Sequence, residues 1–456
     1  MTYDEALRYL ASLEELGIRL ALQNISQVLE ALGNPERRTP SLLISGTNGK
    51  GSVAATLASI LARSGRRTGL YTSPHLVRHE ERIVIDGRPI SPEEFASALT
   101  IVRDAIDDLM KRGRLQAHPT HFETITAAAF HHFASASIDF AVLEVGMGGR
   151  LDATVLARPR LSIITNVALE HTAFLGGTIG AIAAEKAGIL PEGGLLLTAE
   201  TQPEALEAFR ARARDTGGRL VELGAFARVE PGSEDRLTVR TARRVHEDLR
   251  PSLHGPHQAA NAALAVAACD LLEEIGFPIP EEAIRRGVET TTWPGRFQIV
   301  ERRPRLILDG AHNPAACVAL RDALASLPGA APGPTTLIFG AMRDKKHLEM
   351  MAALFPRARR VLLTRGRSSR FREPHAILPE AIRIASAGDG GPPGSPARSG
   401  DVSTIVTVAE SVSEALRSAS EATPLSGTIC VAGSLYLVGE TMEILGIEPW
   451  PSPPSR

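Results

Sequence analysis

The stretch Ser45–Val53, SGTNGKGSV, follows the apolar run 41–45 and precedes a helical pattern from Lys50 to about Arg63. A strand–loop–helix turn of this composition can hold phosphate. Gly46, Gly49 and Gly51 let the backbone wrap closely, and the N–H groups of the loop, those of Thr47 and Asn48 included, then point inward. Lys50 supplies a cation for outer phosphates. Ser52 supplies a hydroxyl for phosphate or metal. The spacing is not the standard Gly-x-x-x-x-Gly-Lys pattern, because Ile44 stands where that pattern needs glycine. Read alone, the stretch also fits a plain tight turn between strand and helix.

Other reactive side chains sit at similar places. Glu144 ends an apolar run, Ser73 follows another, and His171 follows the run 161–165 and its loop. Open α/β sheets place ligands at such strand ends. Lys186 lies among small apolar residues in AAEKAGI. It reads either as a buried amine with a lowered pKa or as a snorkelling lysine paired to Glu185. Asp309 and His312 lie in DGAHNP, just after the run 305–308, a sequence that by itself also describes a turn and a helix start at Pro314.

The elements that position these groups alternate strand and helix. Strands are expected at 41–45, 68–71, 138–143, 161–165 and 195–198, with a hairpin from Arg82 to Ile90 around Asp86-Gly87. Helices are expected at 50–63, 120–135 and 178–188, and one beginning at Ser91-Pro92-Glu93-Glu94, where a serine cap, a first-turn proline and two acids coincide. A boundary near Thr292–Gly295 opens a second rhythm. Its strands fall at 305–308, 335–339, 359–363, 403–407 and 427–431, and its helices at 314–326, 374–385, 409–418 and 435–445. The expected fold is α/β: a mostly parallel, P-loop-type sheet domain over residues 1–294 and a smaller Rossmann-like domain over residues 295–456. Residues 386–401, rich in Gly, Pro and Ser, read as a surface loop.

The bulk properties narrow the function classes. A chain of 456 residues with 43% hydrophobic and 22% charged content has the composition of a soluble globular protein. A formal net charge of −2 argues against a broad nucleic-acid footprint. The three cysteines are far apart and lack metal-ligand spacing, which suits a reducing compartment. The first residues, MTYDEALRYLASLEEL, lack the features of a signal peptide, and no apolar run approaches the ~20 residues that span a bilayer. A cytoplasmic location without membrane or nucleic-acid partners is expected.

GTNGKGS resembles the ATP loop of the Mur ligase superfamily, and of its folylpolyglutamate synthase/dihydrofolate synthase family in particular. YTSPHL (71–76), LEVGMGGRLDAT (143–154), EHTAFLGGTIGAIAAEKAGIL (170–190), HGPHQAANAALA (254–265), WPGRF (293–297), LDGAHNPAA (308–316) and AGSLYLVGE (432–440) resemble further family segments in family order. The resemblance implies ATP, two magnesium ions held by Ser73, Glu144 and His171, and a carbamylated Lys186. It implies nucleotide contacts at the loop, Asn261, Arg296, Asp309 and His312, from both sides of an interdomain cleft, with Lys345 as a weaker match. It also implies a pterin pocket at Phe122, Glu123, Arg150, Leu151 and Asp152, where a ring can stack and a carboxylate can accept amino hydrogens.

The implied reaction joins L-glutamate to dihydropteroate or tetrahydrofolate through an acyl phosphate, in a monomeric and bifunctional enzyme. A chain extender only, another Mur-type ligase and a nucleotide switch are the competing readings. The sequence departs from the family at Glu170 (usually Asp), Val155 (usually Asn), Lys346 (usually Asp) and over Leu20–Ile25. Substrate choice is the part those departures touch.

Overall fold

The computed structural model describes residues 1–17, 19–233, 236–327, 334–386 and 404–450. The chain forms two compact units. The first comprises Met1–Ser252 and Gln258–Thr292, and the second Leu253–His257 and Trp293–Arg456.

The first unit is built on eight strands: β1 (Ser41–Ser45), β2 (Thr68–Tyr71), β3 (Ile83–Ile85), β4 (Arg88–Pro89), β5 (Phe140–Glu144), β6 (Leu161–Ile164), β7 (Leu195–Thr198) and β8 (Arg219–Glu222). Their order is β4-β3-β2-β5-β1-β6-β7-β8. All neighbours are parallel except the β2–β3 and β3–β4 pairs. Every residue of β1 and of β5 is buried. That is why these strands read as unbroken apolar runs rather than alternating ones. The edge hairpin turns at Asp86 and Gly87, both at positive φ, as a tight two-residue turn requires.

β1 lies between β5 and β6. The chain leaves β1 toward β2 on one side, and leaves β5 toward β6 on the other. The carboxyl ends at this reversal are where an open sheet leaves a crevice.

Helices cover the sheet, and their starts are written in the sequence. Ser91 and Glu94 form a capping box with Pro92 in the first turn, and Thr120 and Glu123 form another at the helix His121–Ser135. The apolar faces of these helices join β1, β2 and β5 in one buried core.

The sequence reading did not anticipate a three-stranded antiparallel sheet of β9 (Ala227–Pro231), β10 (Leu237–Thr241) and β11 (Val245–Leu249). Its strands are short and mostly polar, so they carry a weak strand signal. A buried polar clamp ties them down. His246 is fully buried, with Nδ1 2.8 Å from Glu281 and Nε2 3.1 Å from Asp270, and Arg244 donates to Asp270 at 2.6 Å.

The second unit has one sheet of β12 (Gln298–Val300), β13 (Arg305–Leu308), β14 (Thr335–Phe339), β15 (Arg360–Leu363), β16 (Ile405–Val408) and β17 (Thr428–Ala432), ordered β12-β13-β17-β14-β15-β16. Only β12 runs antiparallel. The expected α/β plan is therefore present. One helix shifts from 409–418 to Val412–Ala422, because Ser411 caps it by accepting from the Glu414 N–H. Of the surface loop expected at 386–401, all but Ser386 lies outside the described residues. Among the described residues no helix is long and apolar enough to cross a membrane.

Candidate active site

The loop after β1 is held by its backbone. Gly46 has φ +142, and a Cβ there would lie 1.9 Å from Thr165 Oγ1. Gly49 has φ +83, and a Cβ there would lie 2.6 Å from Asn261 Oδ1. Both positions need glycine for conformation and for space.

The residues following β6 brace the same loop. Thr165 Oγ1 donates to the Asn48 carbonyl at 2.6 Å, and Asn166 both accepts from Asn48 N and donates to Asn48 O, each at 3.0 Å. Thr47 N donates to the Asn166 carbonyl, and the Thr47 hydroxyl accepts from Ala168 N, each at 2.9 Å. Thr165 and Asn166 escaped the sequence reading. The signal available was a polar pair directly after an apolar strand.

Two ammonium groups converge on the Gly46 carbonyl. Lys50 Nζ donates to it at 3.0 Å and to Thr47 O at 3.1 Å, and Lys186 Nζ donates to it at 2.7 Å. Lys186 is 4% exposed. Burial pushes its ammonium down to about 7; the nearby charge of Lys50 deepens the fall and Glu170 opposes it. Lys186 is not paired to Glu185, whose carboxylate instead takes Arg150 Nη2 at 2.8 Å. Gly46, Thr47, Lys50, Glu170, His171 and Lys186 line one recess, together with the Val145–Gly148 turn after β5. His171 sits at φ +52, just before the short helix Thr172–Leu175.

Ser52 and Asn261 are linked through Gln258, which donates to the Ser52 hydroxyl at 3.4 Å and accepts from Asn261 Nδ2 at 2.8 Å. Gln258 was also missed, hidden in the small-residue helix Pro256–Glu274.

Of the residues expected at magnesium, Glu144 is buried and accepts from Ser73 N at 3.3 Å, while His171 faces the recess. Among the described residues no group of three or more His, Cys, Asp or Glu is arranged to hold a metal ion. A glutamate carboxylate and a serine hydroxyl are nonetheless hard oxygen donors, a type that suits magnesium when phosphate and water supply the rest.

The residues expected at the pterin lie in the same unit. The Phe122 ring packs on Gly146, where a Cβ would come within 2.7 Å of it, and lies 6.3 Å from the Tyr71 ring. Asp152 is buried and fully engaged. It accepts from Gly146 N (3.0 Å), Met147 N (3.1 Å), Thr154 N (3.0 Å) and the Thr154 hydroxyl (2.5 Å). Burial pushes its carboxyl up, against the downward pull of those bonds. One oxygen of Glu123 accepts from Thr120 N and Thr120 Oγ1, each at 2.8 Å. Leu151 borders a groove of about 500 Å³ whose other walls come from residues 20–27.

In the second unit, Asp309 follows β13 and accepts from Phe297 N at 2.7 Å and Ala311 N at 2.8 Å. Burial pushes its carboxyl up and the charge of Arg296 pulls it down. The imidazole Nδ1 of His312 lies 2.7 Å from the Gly310 carbonyl, and Asn313 caps the helix Pro314–Ala325. Lys345 is mostly buried, with Nζ 3.9 Å from Asp344.

The chain matches the Mur ligase middle domain over residues 44–269 and the Mur ligase glutamate ligase domain over residues 295–435. It is 35% identical over 358 residues to the dihydrofolate synthase/folylpolyglutamate synthase of Bacillus subtilis, covering 77% of this chain and 82% of that one. The chain belongs to the folylpolyglutamate synthase/dihydrofolate synthase family of Mur ligases. A probable bifunctional folylpolyglutamate synthase/dihydropteroate synthase of Haloferax volcanii is 37% identical over 448 residues, 96% of this chain, and there the chain spans 50% of the relative's length. The solved structure of Escherichia coli FolC in complex with DHPP and ADP superposes with a TM-score of 0.84 at 30% identity, covering 98% of each chain.

Proposed function

We propose that this chain joins L-glutamate to the carboxylate of a folate-type acceptor at the expense of ATP, accepting both dihydropteroate and tetrahydrofolate. The observation that carries the reading is the shared recess. The glycine loop, the buried Lys186 and the Val145–Gly148 turn meet there, and that turn is pinned by Asp152 on the acceptor side.

In this reading the loop N–H groups and Lys50 bind the phosphates. The acceptor carboxylate attacks the γ-phosphorus, forming an acyl phosphate and releasing ADP. The glutamate amine then attacks the acyl carbon, the tetrahedral intermediate collapses, and phosphate leaves with the oxygen that came from the carboxylate. Lys50 swings from its carbonyls on Gly46 and Thr47 to offset charge on the transferring phosphoryl. Asn261 steadies the loop at Gly49. Arg296, Asp309 and His312 are proposed to contact nucleotide and glutamate, with Asp309 also accepting from the Phe297 and Ala311 N–H groups beside Arg296 and His312. Two magnesium ions, held by Ser73, Glu144 and His171 with phosphate oxygens, would neutralise phosphate charge.

Lys186 is proposed to react with carbon dioxide. With its pKa near 7 a large share is free amine at neutral pH, so an N–C bond forms and a proton is released, turning a cation into a carboxylate-like anion. Phe122 and Leu151 supply the apolar walls for the acceptor. The three free, buried thiols fit a reducing cytoplasmic setting, and the enzyme is proposed to act as a monomer on small molecules alone.

The test is incubation with ATP, magnesium and glutamate plus either acceptor, reading glutamylated product by mass and ADP release. Product from both acceptors is expected. Product from tetrahydrofolate alone would reduce the chain to a tail extender. Product from neither, with ATP still bound, would remove the folate assignment.

A further inference from the structure

The second unit holds a concentration of positive charge that the reaction above leaves unused. Two loops carry it, RDKKH (343–347) after β14 and RGRSSRFRE (365–373) after β15. Together they contain seven Arg and Lys against two carboxylates, in a chain whose formal net charge is −2. β14 and β15 are parallel neighbours, so both loops leave the carboxyl edge of the sheet, where open α/β folds place their ligands.

The loops are zipped together. Met342 and Phe371 form an antiparallel bridge, while Arg343 N donates to Arg370 O and Arg372 N to Ala341 O, each at 2.9 Å. Arg343 and Arg370 therefore stand opposite one another, an arrangement of like charges that costs stability unless an anion joins them. Other cations of the loops are neutralised: Arg365 pairs with Glu373, and Arg367 with Glu443. Arg343, Arg370 and Arg372 have no ion-pair partner among the described residues, and the first two are exposed. Arg343 Nε donates to the Phe371 carbonyl at 3.1 Å and Arg372 Nη2 to the Arg343 carbonyl at 2.8 Å, which fixes both guanidiniums without cancelling their charge.

We propose that the face carrying Arg343, Arg370 and Arg372 is a subsite for the glutamate tail already attached to the acceptor. This rests on the ligase reading and deepens it, by naming what holds a lengthening product. Each glutamate joined brings two carboxylates, and the acceptor spends one in the new amide. The tail therefore gains one negative charge per round, whichever carboxyl is joined, and presents its carboxylates in a row. Guanidinium forks held along a ladder suit such a row, since each can take a carboxylate in bidentate geometry.

Kinetics on the full chain test the subsite. With tetrahydrofolate extended to three glutamates as acceptor, Arg370→Glu should raise KM about tenfold and Arg343→Gln about threefold. KM for ATP, and for dihydropteroate, which has no tail, should stay at the parent's value. Salt should raise the parent's KM for the three-glutamate acceptor more steeply than that for dihydropteroate, and Arg370→Glu should narrow the difference. Arg343 also bonds its neighbouring loop, so the exposed Arg370 keeps the test open if the Arg343 variant does not fold. Arg417→Glu, at an exposed arginine on the helix Val412–Ala422, controls for net charge. Unchanged KM for the tailed acceptor in both variants would overturn the proposal. So would a rise shared by dihydropteroate, by ATP or by the Arg417 control. A parent that glutamylates neither acceptor would remove the ligase reading instead. Calorimetric titration with triglutamate separates the two failures, because Arg370→Glu should bind the peptide about tenfold more weakly than the parent whether or not ligation occurs.

Discussion

The glycine loop proposed to bind phosphate and the groove proposed for the acceptor sit in the same unit but are made of different material. The loop between Ser45 and Ser52 is a backbone device. Gly46 and Gly49 are fixed by positive φ and by contacts at Thr165 and Asn261, the Thr165 and Asn166 side chains bind the Asn48 main chain, and the Ala168 N–H donates to the Thr47 hydroxyl. The groove proposed for the acceptor is a side-chain device, assembled from residues 20–22, one face of the helix Gln23–Ala31 and Leu151. A backbone device tolerates almost no change. A side-chain device can be retuned residue by residue, as the departures over Leu20–Ile25 suggest it has been.

That contrast orders the expected effects of mutation. The largest belongs to Gly46→Ala. Its Cβ would overlap Thr165 Oγ1 in a backbone conformation that alanine resists, so ATP binding and ligation should fall about 10³-fold or more, measured by nucleotide titration and turnover. Survival of ATP binding would break the distinction between the two regions.

Lys186→Met comes next. Ligation should fall about 10²–10³-fold, the scale of losing a preorganised charge at the phosphoryl site. Folding should move the other way. The folded-state pKa of Lys186 lies near 7, below its ordinary value, so the unfolded chain binds more protons between about pH 7 and 10. The parent's stability therefore rises with pH across that window. In buffer free of carbon dioxide, where the lysine is unmodified, the gain from Lys186→Met should be a few kcal/mol below about pH 7 and fade toward pH 10, read from denaturant midpoints at several pH values. A variant less stable than the parent at pH 6 would contradict the buried-amine account. Labelled bicarbonate incorporated at Lys186 in the parent, and lost in the variant, would establish the carbamate.

On the acceptor side, Asp152→Asn removes an acceptor from a saturated carboxylate. It should cost about 1–3 kcal/mol of stability and raise acceptor KM while leaving KM for ATP near the parent's. The smallest effect belongs to Arg150→Ala. Its ion pair with Glu185 has the arginine side chain 57% exposed, so less than about 1 kcal/mol should be lost, and acceptor KM should move little. A large KM effect would make Arg150 a direct ligand contact.

The same contrast explains what was legible in the sequence. β1, the glycine loop and the helix from Lys50 could be read residue by residue, because close backbone approach demands glycine and a doubly buried strand demands an apolar run. The helix starts at Ser91 and Thr120 were legible for a similar reason, since capping boxes are local chemistry. What stayed hidden depends on distant partners. Thr165 and Asn166 look like any polar residues after a strand until β6 lies beside β1. Gln258 reads as one more small-helix position until it meets Ser52. The strands Ala227–Leu249 are mostly polar, and a clamp of His246, Asp270 and Glu281, the first and last 35 residues apart, gives them no local pattern. The pairing of Glu185 with Arg150 rather than Lys186 likewise follows from the approach of the 149–150 turn to the end of the lysine helix.

The central claim is that the acceptor carboxylate is activated as an acyl phosphate and then captured by glutamate. It is tested most directly by following oxygen. An acceptor carrying heavy oxygen in its carboxylate would be turned over with ATP, magnesium and glutamate, and the released phosphate and the glutamylated product analysed by mass. The account predicts one heavy oxygen in each phosphate, one product per ADP, and the remaining label in the new amide. Phosphate released without the label, or ADP formed without glutamylated product, would contradict it.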